Sequence, residues 1–204
     1  MQWLAVPYRS VATDAPEDLT SPLRSVPPVL ARALAADKAR AARADLGADA
    51  GIIVAFDTIV VLDRRVLGKP ADEADARRML RELSGRTHQV ITGVAVLAAQ
   101  GGEPETFAVT TDVDMRELDD AAIDAWLAED EALGCAGAYN IERHLAHVAE
   151  SGCYQNVAGL PLCHLYQRLR KLGVDDLASP IASCDAALGR ACALGPRACV
   201  TPGL

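Results

Sequence analysis

The feature that most constrains the fold is the run "GIIVAFDTIVVL" at residues 51–62, which is apolar except for Asp57 and Thr58. Short apolar runs rich in β-branched residues are typical of buried strands. A carboxylate inside such a strand is costly unless a partner compensates its charge. The chain then turns at residues 63–65 and supplies a cation, Lys69. The pattern predicts a hairpin that carries both charges to one end of a sheet.

A hairpin centred on Asp63 places Asp57 and Lys69 opposite each other, with their Cβ atoms about 5 Å apart. A turn displaced by one residue would change that pairing. Spacing alone leaves two interpretations open. The first is a salt bridge that serves only the structure. The second is a phosphate site, in which the lysine is a point charge and the aspartate binds a divalent cation or accepts a proton from water.

The chain is acidic, since 28 Asp and Glu residues outnumber 20 Lys and Arg residues and give a net charge of −8. This balance argues against a general nucleic-acid-binding surface, so a phosphate-bearing ligand requires a local cluster of cations. Only three of the basic residues are lysines: Lys38, Lys69 and Lys171. In a set so rich in arginine, a lysine can be retained for its compact ammonium charge.

The sequence also restricts the compartment. No run approaches the roughly 18 apolar residues of a membrane helix. The first residues, "MQWLAVPYRSVATDAPEDL", lack the basic start and apolar stretch of a signal peptide. We therefore expect a cytoplasmic protein without a membrane partner, whose six cysteines are reduced.

Alternating helical and strand patterns predict an α/β fold with a mixed sheet. Helical patterns cover residues 27–47, 71–85, 119–130 and 160–173, and strand patterns cover 51–62, 89–97 and 106–117. Asp72 and Asp119 are predicted N-caps, and Gly47 is a predicted helix stop. We expect one domain over residues 1–175, followed by a tail over 176–204 that is rich in Ala, Gly and Cys.

Several motifs, taken in order, resemble the Maf family of nucleoside triphosphate pyrophosphatases. The core is "FDTIVVLDRRVLGKPADEADARRMLRELSGRTHQVITGVAVL", with Asp-Thr after a strand, Leu-Gly-Lys-Pro, a helix, Leu-Ser-Gly-x-x-His and a Thr-Gly strand. "LAADKARA" precedes it, and "DVDMRELDDAAIDAWL", "AGAYNIE" and "GCYQNVAGLPLCHL" follow it. The resemblance spans residues 5–173, and it is the combination of motifs that makes it specific.

The resemblance implies a reaction in which water attacks the α-phosphorus of a nucleoside triphosphate, giving a monophosphate and pyrophosphate. It further implies an elongated mixed sheet flanked by helices, like that of the Maf and inosine triphosphatase proteins. A divalent cation, Mg²⁺ or Mn²⁺, a cytoplasmic location and a homodimer are also implied.

Roles carried over from the family fall on six residues. Asp57 would accept the proton of the attacking water, and Lys38 and Lys69 would bind the substrate phosphates. Glu17 would help Asp57 to bind the metal. Thr58 and Glu142 would select the substrate, but they point to different branches. Thr58 resembles the dTTP and UTP branch, whereas Glu142 matches the 7-methyl-GTP branch.

One family feature has no counterpart in this sequence. The family opens with a strand and a phosphate-binding loop of the type Ser-x-Ser-Pro-Arg-Arg, and Met1 aligns beyond that loop. Two explanations of its absence are open: a misassigned start codon and a real loss of the loop. If the loop has been lost, we expect poor turnover. Two alternatives follow: a nucleotide-binding protein with little turnover, and a regulatory protein of cell division.

The cysteines Cys184, Cys192 and Cys199 lie outside the family signature. They are interpreted either as a small redox or metal cluster or as plain residues of the tail. Cys163, within an apolar helical pattern, is expected to pack in the core.

Overall fold

The computed structural model describes residues 1–47, 50–129 and 131–200, and its centre is a five-stranded sheet in the order β2-β1-β3-β4-β5. The strands are β1 (Ile53–Leu62), β2 (Arg65–Leu67), β3 (Thr87–Leu97), β4 (Glu105–Met115) and β5 (Ala146–Val148). The predicted α/β class is confirmed. Residues 201–204 of the predicted tail, and Asp130 at the end of a predicted helix, lie outside the described residues.

The prediction of a mixed sheet is wrong in one detail, since each pairing among the described strands is antiparallel. A parallel neighbour requires a crossover that returns the chain to the start of the previous strand. Here the hairpin after β1 reverses the chain, and the following helix returns it to the hairpin end. As a result β3 begins beside the end of β1, with Val61 opposite Gln89.

The predicted register of the first hairpin is wrong by one residue. Its turn consists of Asp63 and Arg64, both with positive φ (49° and 66°), and it pairs Leu62 with Arg65. Two-residue turns of this kind suit the right-handed twist of the flanking strands. Lys69 consequently lies beyond the end of β2 and does not pair with Asp57 across the ladder.

The helices agree with the predicted signals where a cap or a stop residue marks their ends. They are α1 (Pro27–Leu46), α2 (Glu73–Leu83), α3 (Asp120–Leu127), α4 (Tyr154–Val157), α5 (Leu162–Lys171), α6 (Ile181–Leu188) and α7 (Gly195–Val200). Short 3₁₀ turns occur at Gln2–Leu4, Pro22–Ser25, Ala132–Gly134, Ala136–Ala138 and Ile141–Arg143. The Asp72 and Asp119 side chains each accept a backbone N–H at 2.8 Å, and α1 ends at Gly47, as predicted.

Helices cover both faces of the sheet, and strand alternation decides which residue faces which helix. On β1, Ile59 and Val61 pack with the leucines of α1, whereas Val60 and Leu62 pack with α2 and α3 on the opposite face. Asp57 is an odd-numbered residue and therefore shares the α1 face. Within the described residues, none of the helices combines the length and apolarity that a membrane crossing requires.

Candidate active site

A cleft of about 290 Å³ opens beside the first hairpin, along the edge of β1 that β2 leaves unpaired, and residues from both faces of β1 line it. Its charged lining residues are Glu17, Lys38, Asp57 and Lys69. Three backbone segments complete its walls: residues 134–136, 139–141 and 157–159. A cleft of this size and polarity suits a small polar ligand.

Four charged side chains form a connected cluster in this cleft. The Lys38 ammonium donates to Asp57 Oδ1 at 2.6 Å and to Glu17 Oε1 at 2.7 Å. Lys69 reaches the same Glu17 oxygen at 3.2 Å. Asp57 is the most enclosed member, with only 4% of its side chain exposed. The structure thus brings together four of the six residues singled out from the sequence, although Glu17 rather than Asp57 contacts Lys69.

A close approach of α1 to β3 determines where Lys38 lies. Gly93 on β3 is directly opposite Asp57 on β1. A Cβ atom at Gly93 would be 2.1 Å from the carbonyl oxygen of Ala31, so only glycine allows α1 to pack this closely. Ala31 and Lys38 lie about two turns apart on the same helix face, and the ammonium therefore reaches Asp57.

Two contacts hold the segment that carries Lys69. The Gly68 carbonyl accepts the backbone N–H of Gly137 at 2.9 Å. On its other side, Gly68 is in close contact with the arm, because a Cβ at Gly68 would be 2.2 Å from Cδ1 of Leu19. The arm that carries Glu17 and the segment that carries Lys69 are therefore packed against each other.

Burial and charge shift the pKa values of the cluster in different directions. Burial raises the pKa of Asp57 above the usual aspartate value, although hydrogen bonding from Lys38 opposes part of this effect. For Lys38, burial would lower the pKa, but its hydrogen bonds to Asp57 and Glu17 outweigh burial and raise it. For Glu17, burial would raise the pKa, but its two lysine partners outweigh burial and lower it. Asp57 is thus the more basic carboxylate, beside an ammonium that stays charged.

The opposite face of β1 carries a second polar chain that sequence reasoning missed. The hydroxyls of Thr58 and Thr92 are 2.9 Å apart, and Thr92 donates to the backbone carbonyl of Asn156 at 2.9 Å. The Asn156 side chain is fully buried and donates to the Val90 carbonyl and to Thr111. These bonds attach α4 to the sheet and hold residues 157–159 at the cleft wall. The threonine in the apolar strand "QVITGVAVL" was the available signal.

The two residues predicted to select the substrate lie in different places. Thr58 lines the cleft. Glu142 is exposed and is not part of the lining, which instead includes its neighbours Asn140 and Ile141. The Asn140 side-chain oxygen is already used within the protein, because it accepts the backbone N–H of Glu142 at 2.9 Å.

Glu17 and Asp57 are the carboxylates of the cleft that could serve as ligands of a divalent cation. Glu17 and Asp57 direct one oxygen each toward the same ammonium nitrogen, so the two oxygens are close together. No group of three or more His, Cys, Asp or Glu side chains in the described ranges is arranged to hold a metal. Two carboxylates suit Mg²⁺ or Mn²⁺, which commonly complete their shell with water and substrate phosphate oxygens.

The comparisons with known proteins assign the family. A family model described as Maf-like protein matches residues 1–172. A protein of Xanthomonas oryzae pv. oryzae named dTTP/UTP pyrophosphatase is 44% identical over 183 residues, which cover 85% of this chain and 92% of that protein. Relatives with the same name in Geobacter sulfurreducens (42% identical, 82% and 87% covered) and Bacillus cereus (36%, 86% and 90%) are also similar. The chain belongs to the Maf family, as its motifs indicated.

Proposed function

We propose that this protein hydrolyses a nucleoside triphosphate to a nucleoside monophosphate and pyrophosphate. One observation carries the proposal: a buried carboxylate, Asp57, shares a cleft with the ammonium groups of Lys38 and Lys69. Membership of a family whose similar members are named dTTP/UTP pyrophosphatase supports it. The alternatives of a pure nucleotide binder or a cell-division regulator have no observation in their favour.

Asp57 acts as the general base in this proposal. It accepts a proton from water while the water oxygen bonds to the α-phosphorus. The bond from that phosphorus to the bridging oxygen breaks, and pyrophosphate leaves with the electron pair. Because burial raises the pKa of Asp57, its carboxylate is a stronger base than an exposed aspartate. The hydrogen bond from the Lys38 ammonium favours the ionised form of Asp57, which is the form that accepts the proton.

The two lysines neutralise the substrate and the leaving group. A triphosphate carries several negative charges, and the protein as a whole is acidic, so the attraction must be local. Lys38 stays protonated because its two carboxylate partners raise its pKa. Cations fixed where charge develops on pyrophosphate stabilise the transition state more than the ground state.

Asp57 and Glu17 would hold a divalent cation. When bound, Mg²⁺ or Mn²⁺ would polarise the phosphate oxygens and offset their charge. The carboxylates supply the hard oxygen ligands, and Lys38 lies between them to keep their charges compensated.

The substrate proposed is a pyrimidine nucleotide of the dTTP and UTP class. Thr58 lines the cleft and matches that branch of the family, and the similar relatives carry that name. Glu142, the residue that pointed to methylated guanine, lies outside the lining. A cytoplasmic homodimer completes the proposal, and light scattering on a sizing column tests the dimer.

A product assay tests the function. The purified protein is incubated with Mg²⁺ and each of dTTP, UTP, dCTP, ATP and 7-methyl-GTP, and both products are quantified. We expect pyrophosphate and monophosphate in equal amounts, fastest from dTTP and UTP. In ¹⁸O-labelled water the label should enter the monophosphate. Release of orthophosphate, or nucleotide-dependent thermal stabilisation without any product, would refute the hydrolysis proposed.

A further inference from the structure

A short turn in the wall of the cleft has a strained backbone. This wall turn comprises residues 136–139, of which Ala136 and Tyr139 line the cleft. Gly137 and Ala138 both have positive φ (69° and 63°), which is unusual for a residue with a side chain such as Ala138. A backbone of this kind costs free energy and persists only where its surroundings hold it in place. The contacts that hold the wall turn therefore show which residues shape this side of the cleft.

The first of these contacts comes from α3. The indole N–H of Trp126 donates to the backbone carbonyl of Ala138 at 2.7 Å. Trp126 is almost fully buried and Ala138 is fully buried. If the indole N–H were removed, the carbonyl would be left without a partner away from water, which is costly. The Trp126 side chain therefore favours the strained conformation of Ala138.

The second contact comes from β3. The hydroxyl of Tyr139 is 2.7 Å from Nε2 of His88, and the two rings meet edge to face with their centroids 5.4 Å apart. Both side chains are buried. This hydrogen bond attaches the end of the wall turn to the central sheet.

The wall turn in turn holds the backbone next to Lys69. The backbone N–H of Gly137 donates to the carbonyl of Gly68, the residue that precedes Lys69, at 2.9 Å. Gly137 is also in close contact with β1, since a Cβ there would be 2.9 Å from Cγ2 of Val60. The Lys69 side chain is 52% exposed, and its ammonium contacts Glu17 at 3.2 Å. Its position in the cleft consequently depends on where the wall turn holds this backbone.

We propose that Trp126 is a positioning residue for Lys69, acting through the wall turn on the cation that meets the pyrophosphate part of the substrate. The inference rests on the proposed function and extends it to a residue of the core. Trp126 is not among the described residues that line the cleft, so it acts through Ala138, Gly137 and Gly68 and not by touching the substrate.

A double-mutant cycle separates positioning from simple support of the fold. Trp126→Phe keeps an aromatic ring and removes the N–H donor. The probe is inorganic pyrophosphate with Mg²⁺, and its dissociation constant is measured by isothermal titration calorimetry. We expect Trp126→Phe to weaken pyrophosphate binding by about 3- to 10-fold. In the Lys69→Gln background the same change should have less than about a 2-fold effect, because the cation that it positions is already absent.

A second variant and two controls accompany the cycle. Tyr139→Phe removes one hydroxyl from the wall turn and should show the same dependence on Lys69, which decides the proposal if Trp126→Phe does not fold. Trp3→Phe changes the chain's other tryptophan, and Tyr166→Phe changes a tyrosine of α5. Both residues pack in a different part of the core, and both variants should bind pyrophosphate as the unmodified protein does.

The outcomes distinguish this inference from the proposed function. Equal effects of Trp126→Phe with and without Lys69 would overturn the inference, because the tryptophan would then support only the fold. Unchanged pyrophosphate binding by a folded Trp126→Phe protein would overturn it as well. If the cycle showed the expected coupling but the unmodified protein released no pyrophosphate from dTTP, the hydrolysis would be refuted and the positioning role would stand.

Discussion

Lys38 is the side chain on which the charge balance of the cleft depends. It contacts both carboxylates, whereas Lys69 contacts only Glu17 and is 52% exposed. The third lysine, Lys171, ends α5 and is exposed outside the cleft. Lys171 is therefore a matched control for substitutions of the two lysines in the cleft.

We predict that Lys38→Gln lowers kcat/KM for the substrate by about 10- to 100-fold, since a charge-assisted hydrogen bond contributes about 1.5–3 kcal/mol. The acidic limb of the pH–rate profile should also move upward. The reason is that the cation normally opposes the rise in the pKa of Asp57, and the base form would then require higher pH. Steady-state kinetics across pH measure both effects.

Lys69→Gln should have a smaller effect, and Lys171→Gln should leave the kinetics unchanged. Equal losses in the Lys38 and Lys171 variants would mean that the protein requires overall charge rather than a specific cation. The rarity of lysine in the sequence indicated the two cleft residues, but it could not indicate that Glu17 connects them.

The packing of α1 on β3 links the fold to the cleft, and Gly93 is its closest point. A methyl group there would meet the Ala31 carbonyl oxygen at 2.1 Å, so α1 would have to move away from the sheet. Gly51 is a suitable comparison, because a methyl group there meets no atom within 4 Å and its φ is not positive.

We predict that Gly93→Ala destabilises the protein by about 1–3 kcal/mol, the usual cost of overpacking. It should also lower activity more than nucleotide binding, because Lys38 is withdrawn from Asp57. Urea denaturation and pyrophosphate release measure the two effects. Gly51→Ala should change neither. A Gly93→Ala protein with normal stability and rate would show that the close approach is not needed.

Sequence patterns predicted the elements whose ends carry a local signal. Asp72, Asp119 and Gly47 act as the caps and the stop they were expected to be, because capping depends on residues within one turn. The hairpin register failed because it depends on the turn type that the two strands select together. Helix α6 was missed, although Pro180 precedes it and Gly189 (φ 65°) ends it, because its composition gives no clear apolar stripe.

The candidate site could be predicted only in part, for the same physical reason. Asp57 and the two lysines stand out because each is unusual in its sequence context. Asn156 and Thr92 do not, since their importance arises from contacts between α4 and β3 that bring distant segments together. Long-range contacts of this kind leave no periodic signal in the sequence.

Stability of the folded protein should respond to pH through His88. The imidazole is 2% exposed, its Nε2 is 2.7 Å from the Tyr139 hydroxyl, and burial lowers its pKa from 6.5 to about 4. As pH falls below 6.5, the His88 imidazole binds a proton in the unfolded chain, whereas in the folded protein it stays neutral until about pH 4. Stability is therefore lost between pH 6.5 and about 4, by about 3 kcal/mol.

We predict that His88→Gln, although less stable at neutral pH, loses less stability on acidification than the unmodified protein. Chemical denaturation at several pH values between 7 and 4 gives the two curves. The control His147→Gln changes an exposed histidine and should retain the original slope. If the slope were unchanged in the His88 variant, the imidazole would not be the group responsible.

The central claim is that Asp57 activates water in a cleft built from α1, β1 and the first hairpin. The direct measurement is the rate of pyrophosphate release from dTTP by Asp57→Asn, beside the matched control Asp112→Asn, which changes an exposed aspartate on β4. We predict a loss of at least about 100-fold for Asp57→Asn, the range of general-base catalysis, and none for the control. Thermal stability should not fall, because burial disfavours the charged form of Asp57. A folded Asp57→Asn protein that releases pyrophosphate at the original rate would contradict the account.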